Sequence, residues 1–148
     1  MEERAAGIDE RIALRSLVEA YAFAVDRRDS HGFAALFDVD ATLSVHDTTG
    51  ARTGAYVGRH ELADLPKRLS RYDRTLHLVH NHDVAIDGDE ASGEVYCTAH
   101  HVSGAGPDAI DRVLAILYAD RYARASGRWR FRSREVRLQW SEQRAVQR

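Results

Sequence analysis

The chain has 148 residues, 44% of them apolar and 30% charged, which is enough for one domain with a core of its own and too short for two ordinary ones. The formal charge of −2 is spread without blocks, so no basic stripe for nucleic acid stands out. The one cysteine, Cys97, excludes an internal disulfide framework, and the N-terminus lacks a signal pattern, so we expect a cytoplasmic protein with no membrane span.

The first predicted element is a helix from about Ile8 to Arg28. Asp9 can cap it, and Leu14, Leu17, Val18, Tyr21, Ala22 and Val25 recur at helical spacing. Asp26 stands near its end, one turn from Ala22 and Phe23, on a less solvated side than Arg15, Glu19 and Arg27 mark out. Ser30 can cap a short second helix, His31 to Phe37. Ala41 to His46 alternates as a strand, Asp47 to Gly50 is a turn, and Ala55 to Val57 is a short extended piece. A third helix, Arg59 to Arg71, carries Pro66, which predicts a break or an irregular first turn.

From Arg74 the periodicity changes to that of strands. Thr75 to Ile86, a turn at Asp87 to Asp89, and Ala91 to Ser103 make a hairpin. Ala109 to Arg124 is long enough for a helix, but its aromatics and the Ser126-Gly127 turn favour a strand. Arg128 to Trp140 closes the sheet, with Arg130, Arg132 and Arg134 read as a solvated strand face, and 141–148 is expected to be a loose tail. Helices followed by an antiparallel run of strands is an α+β pattern: helices packed on one face of a curved sheet, a geometry that encloses a cavity.

Several runs together resemble one family. They are Ala20 to Asp29 (AYAFAVDRRD), Phe33 to Phe37 (FAALF) with Asp40-Ala41, Thr75-Leu-His77 with Asn81, Asp87 to Ala91 (DGDEA), and Tyr122 with Gly127-Arg-Trp129. In order and spacing this is similar to the SnoaL-like branch of the nuclear-transport-factor-2-like superfamily. The resemblance implies a cone-shaped antiparallel sheet wrapped around a long first helix, a cystatin-like α+β barrel, often dimeric. It also implies acid–base chemistry without a cofactor, as in the family's dehydratases, dehydrochlorinase, ketosteroid isomerase and polyketide cyclases. Asp26 and His77 match the catalytic aspartate and histidine of the dehydratases and the dehydrochlorinase. Tyr21 matches a tyrosine of the bile-acid dehydratases, and Val25 stands where scytalone dehydratase has a tyrosine. A second pocket histidine of scytalone dehydratase falls on His101.

The residues support this reading on their own terms. A histidine paired with a carboxylate is a general base whose tautomer is fixed. Alternation puts His101 in phase with the small residues Ala91, Gly93, Val95, Cys97 and Ala99, and His100 on the other face. Asn81 shares the phase of His77. We therefore expect Asp26, His77 and Tyr21 to be catalytic, and His101, Asn81, Tyr56, Val25 and Cys97 to contact a small cyclic, hydrophobic substrate. The expected activity is that of a dehydratase, with isomerase or cyclase chemistry next and a non-catalytic binding module as an alternative. A homodimer or higher homo-oligomer is expected, with no nucleic-acid or membrane partner. His80 and His82, two apart on one strand face, leave a metal site as a further alternative, although the glutamate that follows such a pair in cupins is missing. Otherwise these two histidines are expected to face away from the pocket.

Overall fold

The computed structural model describes residues 2–148, with side chains from residue 7 onward. Helix α1 (Glu2–Asp26) lies along the inner face of a six-stranded sheet and is followed by α2 (Ser30–Ala35). Leu14, Leu17, Val18, Tyr21, Ala22 and Val25 are the buried stripe, as their spacing predicts. The helix stops two residues sooner than expected. Arg28 takes a left-handed φ of 57°, its N–H bonds to the Val25 carbonyl and the Asp29 N–H to the Ala24 carbonyl. This is the Schellman closure, with arginine where glycine is usual. The Arg28 guanidinium holds the unusual backbone by donating to the carbonyls of Val25 (2.9 Å) and Leu69 (3.0 Å) and to Thr75 Oγ1 (2.7 Å). Asp26 thereby becomes the last helical residue, facing the sheet. Asp29, not Ser30, caps α2, its carboxylate accepting the Gly32 N–H at 2.9 Å.

Strands β1 (Phe37–His46) and β2 (Arg52–Val57) come next, then α3 (Gly58–Leu62) and α4 (Leu65–Arg68), which runs into a single 3-10 turn at Leu69–Arg71. The expected third helix is thus broken at Ala63 and Asp64, with Pro66 in the first turn of α4, where its missing N–H costs nothing. Strands β3 (Arg74–Asp87), β4 (Glu90–Ser103), β5 (Ile110–Ala125) and β6 (Arg128–Ala145) complete the sheet in the order β2-β1-β6-β5-β4-β3. All neighbours are antiparallel except β1 and β6. The α+β expectation holds, with an open, curved sheet whose edges are β2 and β3. The segment after Ala109, expected to be a strand although long enough for a helix, is a strand.

Two expectations fail here. The tail is not loose: β6 runs to Ala145, paired with Ile110, and Arg148 donates to the Gly104 carbonyl at 3.0 Å. Nor is the arginine run a uniformly solvated face. Arg134 is 1% exposed. The register slips between β5 and β6 at Arg121/Tyr122, so Phe131 and Arg134, three apart, both face inward. Inside, Arg134 makes a two-pronged pair with Asp120, both bonds at 2.7 Å, and its guanidinium lies 4.1 Å from the Tyr21 ring centre and 3.9 Å from that of Tyr118. The core around it is aromatic: Tyr21, Phe33, Phe37, Tyr118 and Phe131 touch edge-on or tilted. Among the described residues no helix is long and apolar enough to cross a membrane.

Candidate active site

The site is built where the end of α1 meets the start of β3. Asp26, fixed there by the Schellman turn, accepts three hydrogen bonds from β3: from Thr75 Oγ1 at 2.9 Å, from the His77 N–H at 2.8 Å and from His77 Nδ1 at 2.7 Å. The side chains of His77 and Asp26 are 7% and 16% exposed. Burial pushes the Asp26 carboxyl up, but the bonds from the His77 side chain, the His77 backbone and Thr75 outweigh it and hold the group below its ordinary value. An ionised Asp26 takes the proton-bearing Nδ1 of His77 and leaves Nε2 as the basic nitrogen. His77 lines a cavity of about 380 Å³ between the inner face of the sheet, α1 and the α4 segment.

Tyr21, Val25, Tyr56 and His101 also line this cavity. The Tyr21 hydroxyl is pushed up to about 12 by burial, against the pull of Arg134, so the phenol is a donor at neutral pH. His101 pairs across the strands with Thr75, and its ring lies 5.6 Å from that of His77. Tyr72 stacks on it, centre to centre 4.6 Å. Both His101 ring nitrogens are buried with no protein partner, and the imidazole is pushed down to about 4, chiefly by burial and then by His77, Arg112 and Arg71. It is therefore a neutral ring with a free donor and a free acceptor.

Asn81 and Cys97 do not line the cavity. A bulge between Val79 and His82 reverses the alternation of β3, so the phase that carries His77 and Val79 inward passes to His82. Asn81 is left exposed at the bulge. Cys97 is in the inward phase but is packed behind Tyr118, whose hydroxyl donates to Sγ at 3.6 Å, and burial raises the thiol to about 11. The same bulge corrects the reading of the other two histidines. His80 does face outward, onto Thr98 Oγ1 at 2.8 Å, but His82 turns inward and meets the Tyr122 hydroxyl at 3.2 Å. They lie on opposite faces and cannot share an ion. Among the described residues no group of three or more His, Cys, Asp or Glu is placed to hold a metal.

The sequence reading missed Thr75 and Arg28, which brace Asp26, and Asp120 with Arg134 behind Tyr21. Thr75 shares the phase of His77, and that alternation was the one signal available for it.

A family model described as SnoaL-like domain matches residues 7–135. The chain belongs to the SnoaL-like family. The fold is similar to that of several solved structures. A protein from Novosphingobium aromaticivorans provisionally named scytalone dehydratase is 21% identical over 97% of this chain and 95% of its own, with a TM-score of 0.79. A hexachlorocyclohexane dehydrochlorinase of LinA type 3 from Novosphingobium barchaimii is 20% identical over 95% and 94%, also at 0.79. A Nostoc punctiforme protein of unknown function with a cystatin-like fold is 20% identical over 86% and 90%, at 0.66. At these identities the likeness is one of fold. A search of curated proteins finds no match.

Proposed function

We propose that this SnoaL-like protein is an acid–base lyase, a dehydratase, acting on a small molecule held in the cavity beside His77. The observation that carries the reading is the 2.7 Å contact of Asp26 with His77 Nδ1, which leaves Nε2 free at a largely apolar cavity. In the step envisaged, His77 Nε2 takes a proton from carbon next to an activating carbonyl. Asp26 stabilises the imidazolium, and Tyr21 or neutral His101 donates to the oxygen where charge develops. The imidazolium then returns the proton to the leaving hydroxyl on the neighbouring carbon. One C–H and one C–O bond break, a C=C bond forms and water leaves, with no change of oxidation state overall. The similar structures whose names specify removal of water or of HCl support an elimination. Isomerisation would need the proton returned to carbon instead.

The test is turnover on a panel of cyclic β-hydroxy carbonyl compounds, read by loss of substrate and gain of alkene. His77→Ala is expected to lower kcat by about 10²–10⁴-fold, the usual reach of a general base. A panel member that binds and is returned unchanged by the unmodified protein would instead favour the binding-module alternative.

A further inference from the structure

The mouth of the cavity carries charge that proton transfer at His77 does not use. Arg68, Arg71 and Arg112 line it, and no carboxylate is among the lining residues. Some arginines elsewhere meet acids, as Arg15 meets Glu19, Arg124 meets Glu10 and Asp89, Arg137 meets Glu135, and Arg148 meets Asp73, while others among the described surface residues, such as Arg52 and Arg74, do not. Among the described residues the three at the mouth make no salt bridge and no side-chain hydrogen bond. Two of them are held in place by aromatic faces, Arg68 over Tyr56 at 5.1 Å and Arg71 over Tyr72 at 5.0 Å. Stacking of this kind steadies a guanidinium while leaving its N–H edge for a planar oxyanion. Tyr72 in turn stacks on His101, whose ring nitrogens are buried, unpartnered and close to the same cavity. A cluster of like charges at the entrance of an apolar pocket raises the local concentration of the opposite sign.

We infer that the natural ligand is an organic anion: an apolar ring body seated against Leu114 and Ile116, with a carboxylate or phosphate held at the mouth by Arg71 and Arg112, and by Arg68 at its edge. The inference rests on the cavity being the substrate site, and it narrows the substrate from hydrophobic molecules in general to acids. His101, kept neutral by its surroundings, meets such a ligand as a hydrogen-bonding group and not as a competing cation.

The test is calorimetric titration of the full chain with three probes of one ring system: 1-naphthamide, 1-naphthoate and 1-naphthyl phosphate. At least one anion is expected to bind about tenfold tighter than the neutral amide, the usual gain from a charge-assisted contact. The two anions tell the carboxylate from the phosphate. The preference is expected to fall to within about twofold in Arg71→Gln/Arg112→Gln and to persist in Arg71→Lys/Arg112→Lys, which keeps the charge. Equal binding of the amide, failure of both anions to bind, or an unchanged preference in the glutamine variant would overturn the inference. Repeating the titration with His77→Ala separates it from the lyase reading. Anion preference is expected to survive there although turnover is lost, so a dyad that proves inactive leaves this result standing and the reverse also holds.

Discussion

His101 is a buried histidine with both ring nitrogens unpartnered. Its imidazole titrates near 4, against an ordinary 6.5, because burial and the neighbouring charges of His77, Arg112 and Arg71 disfavour the protonated form. Between these values the unfolded chain binds the proton and the folded chain does not. Stability is therefore complete above about pH 6.5 and declines as the pH falls towards 4. Urea denaturation is expected to show about 2 kcal/mol more loss between pH 7 and pH 5 for the unmodified protein than for His101→Gln. Asp26 does not confuse this comparison, since its depressed titration affects stability only at lower pH. Arg134 and Asp120 supply a second test, with side chains 0% exposed on both partners. Arg134→Met leaves a buried carboxylate without its cation and is expected to cost about 3–5 kcal/mol, of which Asp120→Asn in the same chain restores a substantial part. The expected face of Arg134 was wrong because inward or outward is decided by register against β5, and a register slip leaves no mark in a single strand's composition.

At the level of elements, the strands and their turns were legible because alternation and the Gly88 and Ser126-Gly127 turns are local signals. The bulge at Val79/His82 was not legible, and it moved Asn81 out of the lining and His82 in. Just past it the partner strand approaches closely at Gly93, where an added Cβ would meet the Asp83 carbonyl oxygen at 2.9 Å and His82 Nε2 at 3.2 Å. Gly93→Val is expected to destabilise the fold by about 1–3 kcal/mol, measured by thermal melting. The last turn of α1 reads differently from its neighbours for a similar reason. Helical periodicity carried the expected helix through Arg28, whereas closure at Asp26 depends on contacts of the Arg28 side chain with Thr75 and Leu69, far along the chain. The C-terminal extension of β6 was hidden too, because Ser141 to Ala145 is polar and its partner is β5. Ending the chain after Trp140 is expected to lower Tm clearly instead of leaving it unchanged, as a loose tail would.

For the whole molecule, the curved sheet over a long helix was readable from the order of elements and from the family resemblance, and the cavity follows from that shape. The outer face of the sheet leaves Leu76, Leu78, Tyr96 and Trp140 between 44% and 67% exposed. The expected homodimer would find exposed apolar side chains there, and sedimentation at micromolar concentration decides between one chain and two. The central claim, that Asp26 and His77 act as one unit, is tested most directly by a double-mutant cycle on kcat with Asp26→Asn, His77→Ala and the pair together. Asp26→Asn also turns an amide towards the donors of Thr75 and His77, so its melting temperature is recorded alongside, with a loss of about 1–3 kcal/mol expected. If the aspartate works only through the histidine, the double variant is as slow as His77→Ala alone. Losses that multiply, or full turnover in His77→Ala, would contradict it.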